Sequence, residues 1–212
     1  MKERPILFKA EMVRAILDGS KTQTRRVMKP QPDDDAIIAV GEIGTSRGAA
    51  FVRYPREGGI TRRVPCPYGQ PGDRLWVRET YFGNHVQHPN EPEDERELHY
   101  RADGLPNFEG EESLIKWRPS IFMPRWASRI TLEIVNVRVE RLQDISEEDA
   151  RAEGVGQVGI ETGQVLESGA PVEIGSYACA YCDLWESING KGSWEANPWV
   201  WVVEFKRTES QI

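Results

Sequence analysis

A chain of 212 residues with only three cysteines is long enough to bury a core of its own, which excludes a scaffold held together by disulfides. A net charge of −7, from 27 basic and 34 acidic side chains, excludes a protein that coats nucleic acid with its whole surface. No apolar run approaches the roughly 20 residues that span a bilayer, no secretion-signal pattern opens the sequence, and the odd cysteine count fits a reducing compartment. The expectation is one cytoplasmic domain over residues 1–212, with no membrane partner.

Residues 5–8 read as a short strand and 10–18 as a helix, with Val13, Ile16 and Leu17 on one face. Gly19 suits the position after that helix, because glycine takes a left-handed backbone without a Cβ penalty. Thr22, Gln23 and Thr24 favour an extended continuation. Residues 36–65 have short alternating runs and many glycines and read as an insertion holding one hairpin. Tyr68-Gly-Gln-Pro-Gly-Asp-Arg74 reads as a tight turn feeding a strand over 75–79, with Leu75 and Val77 facing one way and Trp76 and Arg78 the other. Residues 83–116, largely polar, acidic and rich in proline and histidine, read as a second insertion on the surface.

Residues 130–142 make the strongest strand. Its alternation passes from Ile130, Leu132 and Ile134 to Val135, Val137 and Val139, and that change of parity predicts a bulge at Ile134–Val135. Ser146 caps a short helix that runs to Glu153 and stops at Gly154, with Asp149 three residues into it. A third insertion, rich in glycine, spans 156–181; 181–188 reads as a helix and 199–206 as a closing strand, expected near the N-terminal one in the barrel. Strands outnumber helices without a βαβ alternation. The predicted fold is α+β: a small mixed β-barrel with flanking helices and three insertions.

Charge is segregated along the chain. Residues 1–30 carry eight Lys or Arg against three acids, and 116–141 carry six against two. One reading is a basic surface on an acidic protein; the other is ordinary solvated faces. Around Gly19, the run Ser20, Lys21, Thr22, Thr24, Arg25 and Arg26 groups hydroxyls, an amine and two guanidinium groups, which suit holding an anion or activating a hydroxyl. Lys21 equally suits neutralising the end of the preceding helix. On a straight strand Lys21 and Thr24 face opposite ways, so a shared site requires a break between them. In 117–129, Trp117, Arg118, Arg125, Trp126 and Arg129 interleave rings and cations as a surface for bases and phosphates does, and Trp76 is a further candidate for stacking; each tryptophan is also a natural core residue. Cys179 and Cys182 form a CxxC without a fourth ligand nearby, and His85, His88 and His99 lie in another segment, so no metal centre is expected. There is no nucleophile elbow, Walker loop or HExxH, and no cofactor is expected.

Gly19-x-Lys21-x-x-Thr24-x-Arg26 resembles the signature of the ASCH domain, a PUA-like barrel family associated with RNA and modified nucleosides. Threonine at position 24, where much of that family has glutamate, resembles the small bacterial N(4)-acetylcytidine amidohydrolases of the group. Pro71-Gly72-Asp73-Arg74-Leu75 resembles the family's turn into a barrel strand, and 130–142 its long central strand. Residues 145–153 resemble the helix that in the amidohydrolases ends on the catalytic glutamate, and 201–206 the closing strand. The three insertions, with Met123-Pro-Arg-Trp-Ala-Ser-Arg129, resemble longer ASCH proteins encoded by phages and prophages. The matched core is about half the chain. The resemblance implies a PUA-like barrel and a catalytic set of Lys21, Thr24 and Glu153. In it the Thr24 hydroxyl is the nucleophile, Lys21 the base, and Glu153 the group that orients Lys21 or protonates the leaving amine. Arg26, Trp76, Arg125, Trp126 and Arg129 would contact substrate or RNA. The implied activity is removal of the acetyl group from N(4)-acetylcytidine or a related modified nucleoside, without metal or cofactor. The alternative is a non-catalytic RNA-binding module or a weak ribonuclease.

Overall fold

In the computed structural model, which describes residues 1–33, 37–40, 49–54, 60–83, 98–104, 115–156 and 177–208, strand β1 (Glu3–Leu7) leads into helix α1 (Ala10–Leu17). Val13, Ala15 and Ile16 form the buried face of α1, as its apolar spacing requires. Gly19, at φ +84°, makes the left-handed turn that releases the chain toward β2 (Gln23–Val27).

Strands β3 (Ile37–Val40), β4 (Ala49–Tyr54) and β5 (Ile60–Pro65) form a separate antiparallel sheet. One hairpin was the expectation for this insertion; three strand-forming runs divided by two glycine-bearing breaks make three strands instead. Strand β6 (Arg74–Arg78) follows the turn at Gly72, and β7 (Tyr81–Gly83) pairs with β8 (Leu98–Tyr100). The rest of the second insertion lies mostly outside the described residues. Strand β9 (Thr131–Arg141) is followed by helix α2 (Glu147–Ala152), helix α3 (Tyr177–Asn189) and strand β10 (Trp199–Arg207). Most of the expected third insertion also lies outside the described residues, and α3 takes up its last part.

The main sheet has the order β1-β6-β9-β10-β2. Only the β1–β6 pair is parallel, with Glu3 opposite Arg74 and Leu7 opposite Arg78. The closing strand lies between β9 and β2, paired on both sides. The reason is burial. Val200 and Val202 of β10 pack into one core with α2 and α3, while Trp201, Val203 and Phe205 pack into another that includes α1. A strand apolar on both faces is stable where a core covers each of them.

The bulge in β9 is where the change of parity places it. Leu132 and Ile134 are buried, Val135 and Asn136 are both exposed, and Val137 is buried again. Opposite them, Glu204 pairs with Asn136 and Phe205 with Ile134, so Val135 has no partner in the ladder. Among the described residues no ladder joins the edge strands β1 and β2. Arg26 spans that gap, donating from Nη2 to the Leu7 carbonyl at 2.7 Å. No described helix is long and apolar enough to cross a membrane.

Candidate functional site

The site begins with the alternation of β2. Thr24 lies opposite Val203 and Arg25 opposite Val202. Directly opposed residues share a face of the sheet. Thr24 and Arg26 therefore turn toward the core that holds α1, and Arg25 toward α2 and α3.

Lys21 stands before this ladder. Its N–H donates to the Ala15 carbonyl at 2.8 Å, and the Thr22 N–H donates to the Ala152 carbonyl at 2.8 Å. The Thr22 carbonyl accepts from the Phe205 N–H at 2.8 Å. Two consecutive residues are thus tied to α1, α2 and β10. Lys21 Nζ lies 5.8 Å from the centre of the Phe8 ring, and the Arg26 guanidinium 5.2 Å from the same ring. Lys21 nevertheless meets α2, as Gln23 and Arg25 do: Gln23 Nε2 donates to the Asp149 carbonyl at 2.7 Å, and Lys21 itself lines neither cavity that Glu153 borders.

Glu153 is delivered by α2. Ser146 caps that helix, its Oγ accepting from the Asp149 N–H at 3.1 Å, and three acids occupy the first turn, where the helix dipole favours them. Gly154, at φ +80°, ends it. A Cβ at Gly154 would stand 2.8 Å from the Cβ atoms of both Ala15 and Lys21, so glycine is what lets the end of α2 seat against α1 and Lys21. Lys21 and Glu153 face one another as an isolated antiparallel bridge.

Lys21 Nζ donates to Glu153 Oε2 at 2.7 Å and to the Glu153 carbonyl at 2.7 Å. The two side chains are 0% and 2% exposed. On the other oxygen, Arg25 Nη1 donates to Glu153 Oε1 at 3.2 Å. Arg25 Nη2 donates to Asp149 Oδ2 at 2.9 Å and pairs with Glu140. Arg138 closes the network by pairing with Glu140, Asp149 and Glu204. Burial pushes the Lys21 ammonium below the usual lysine range; Glu153 opposes that shift, while Arg26 and Arg25 add to it.

Thr24 and Glu153 line one cavity of about 60 Å³, with Arg25 and Arg26 from β2 and Tyr181 and Trp185 from α3. A neighbouring cavity of about 250 Å³ shares Met12, Glu153 and Leu184 with it and is also lined by Lys9 and Gly154. Arg26 Nε is sealed from solvent and has no partner among the described residues.

The other residues singled out from the sequence lie elsewhere, and none lines these two cavities. Trp76 is 9% exposed because β6 lies inside the sheet, and the guanidinium groups of Arg78 and Arg125 stand 4.8 and 5.9 Å from its ring centre. Arg125 is exposed and donates from Nε to Glu3 Oε2 at 3.1 Å. Trp126 packs, half-buried, against the cluster of Tyr81, Met123 and Ala127. Arg129 donates from Nε to Glu79 Oε1 at 2.9 Å and from Nη1 to Asp103 Oδ2 at 2.6 Å, and lies 4.0 Å from the centre of the Tyr100 ring. Among the described residues, no three His, Cys, Asp or Glu side chains are grouped so as to hold a metal ion.

Arg25 belongs to the cationic run after Gly19 but has no separate role in the sequence pattern, although strand alternation sets it opposite in direction to Thr24. An arginine directed into the protein needs acids to meet it, and the capped helix that brings Glu153 also brings Asp149. No family model, curated protein or solved structure matches the chain.

Proposed function

We propose that the chain is an amide hydrolase that removes the acetyl group from N(4)-acetylcytidine or a related modified nucleoside, on a PUA-like barrel of the ASCH kind. The observation that carries this reading is the contact between Lys21 and Glu153. Residues 132 positions apart meet at 2.7 Å, sealed from water, beside a cavity walled by Thr24. The barrel is supported by Arg26, which reaches from one edge strand of the main sheet to the other.

Burial favours the neutral amine of Lys21, and a neutral lysine is a base. It takes the Thr24 proton as the hydroxyl oxygen attacks the acetyl carbon. Glu153 orients Lys21. The tetrahedral oxyanion collapses with cleavage of the C–N bond, and the proton held by Lys21 leaves with the cytidine amine. Water then attacks the carbon of the acetyl ester on Thr24, giving a proton to Lys21; the bond to the Thr24 oxygen breaks, Lys21 returns the proton to that oxygen, and acetic acid leaves and ionises to acetate. Arg26, at the cavity wall with an Nε that has no partner among the described residues, is a donor available to the oxyanion. The smaller cavity has room for an acetyl group. The larger approaches the size of small-ligand pockets, about 300 Å³ upward, and suits the base and sugar.

The RNA-binding alternative draws on Arg125, Trp126 and Arg129. Arg125 is paired with Glu3, and Arg129 with Glu79 and Asp103, which favours the hydrolase. Incubation with N(4)-acetylcytidine, followed by chromatography, should yield cytidine. Lys21→Met, Thr24→Ala and Glu153→Gln should each remove about 100-fold or more of the turnover, with double variants little worse than single ones. A wild-type chain that releases no cytidine, or a Thr24→Ala variant at full rate, would sink the proposal.

A further inference from the structure

Glu153 has two carboxylate oxygens and a different cation on each: Lys21 Nζ on Oε2 at 2.7 Å and Arg25 Nη1 on Oε1 at 3.2 Å. We infer that Arg25 is the positioning residue of this pair: it holds the Glu153 carboxylate against Lys21 and remains as the cationic partner of Glu153 when Lys21 gives up its proton. The role in catalysis rests on the hydrolase reading; the coupling of Arg25, Glu153 and Lys21 does not.

Arg25 is built in from every side. Its side chain is 0% exposed. Its far nitrogen is held by Asp149 of α2 and Glu140 of β9, and Arg138 grips both acids and Glu204 of β10. The Tyr181 ring of α3 covers it at 5.9 Å. A guanidinium fixed by two carboxylates cannot follow Lys21, so it presents the same fork to Glu153 whatever the state of the lysine.

A buried carboxylate without a cation is costly. If Lys21 were the one cation on Glu153, loss of its proton would strand that charge, and Glu153 would hold the proton on Lys21. With Arg25 present, Glu153 is paired in both states. The charged groups facing Lys21 are Glu153, Arg25 and Arg26, with Asp149, Glu140, Arg138 and Glu204 behind them and the Tyr181 hydroxyl on α3. Lys9 and Glu11 stand at the outer cavity. Burial lowers the Lys21 ammonium most, and Arg25 adds to that shift against Glu153. Loss of Arg25 removes a repelling cation and frees Glu153 at once, and both changes raise the proton affinity of Lys21.

The test is a carbon-13 NMR titration of the Lys21 Cε signal, assigned by its loss in Lys21→Met. In Arg25→Gln the midpoint should rise by about one pH unit or more, a tenfold firmer hold on the proton. Arg25→Gln strips three acids of a partner and could unfold the chain. Arg25→Gln/Asp149→Asn keeps the net charge of the network, loses the link to Glu153, and should show the same rise. The acid limb of the kcat/KM profile for acetylcytidine should move up with the midpoint. A midpoint that stays or falls in a variant with the wild-type circular dichroism spectrum overturns the inference. A raised midpoint in a chain without turnover removes the hydrolase reading and leaves the coupling in place; turnover with an unmoved midpoint does the reverse.

Discussion

Glu79 and Glu153 are both buried carboxylates held by an arginine, and their surroundings give them different work. Glu79 is 2% exposed, and Arg129 meets both its oxygens, at 2.9 and 3.1 Å. Burial keeps its acid above the usual carboxylate range although Arg129 pulls the other way. Among the described residues no lysine shares it, and Glu79 lines neither of the cavities beside Glu153. Arg129 therefore reads as an anchor that fastens the segment before β9 to the end of β6. Arg129→Ala should cost about 3–5 kcal/mol in urea denaturation, because the partner it leaves is a sealed charge. The raised folded-state value means that the native chain holds the Glu79 proton more tightly than the unfolded chain does. Without Arg129 that proton is held more tightly still, so the deficit should be largest at neutral pH and shrink as pH falls toward the parent's value. A loss below about 1 kcal/mol would return Arg129 to the pool of surface cations. At this scale the motif in the sequence led to Lys21, Thr24 and Glu153. Arg25 was hidden because spacing reports the direction of a side chain and says nothing of which acids fold back to meet it.

Helix α2 shows what a single glycine does for an element. Its start at Ser146 and stop at Gly154 were legible, since a hydroxyl cap and a left-handed terminator are local signals. The tight approach of α1 was not legible, because it depends on a segment more than a hundred residues away. Gly154→Ala adds a Cβ 2.8 Å from those of Ala15 and Lys21, neither of which is a flexible chain end, and forces a positive φ on alanine. Backbone strain of about 1–2 kcal/mol joins an overpacking cost of about 1–3 kcal/mol. The thermal midpoint should drop by several degrees, and Glu153 should draw away from Lys21. Gly156→Ala is the control: its Cβ meets nothing within 4 Å, and its melt should overlay that of the parent. Equal behaviour of the two variants would show that α2 is not seated by this contact. The bulge in β9 was legible for the same reason as the caps, being written in a local change of alternation.

For the whole molecule, the mixture of strands and helices was legible from composition and alternation, but the order of the strands was not. The parallel pairing of β1 with β6 joins segments about seventy residues apart, and nothing local in either announces it. That pairing also decides which way the backbone of β1 turns. The Lys2 carbonyl accepts from the Arg74 N–H, and the Phe8 N–H donates to the Arg78 carbonyl. The even-numbered backbone groups therefore face β6, and those of Glu3, Pro5 and Leu7 face outward. On that outward row Pro5 has no N–H, and the Leu7 carbonyl is taken by Arg26. A strand from a second copy of the chain would find a donor missing and, two residues on, an acceptor occupied. The same guanidinium that stands at the cavity wall thus guards the chain against growing into a continuous sheet with its neighbours. Pro5→Val combined with Arg26→Met should raise the mass seen by light scattering above that of the parent at equal concentration, and equal masses would show that the edge is protected in some other way.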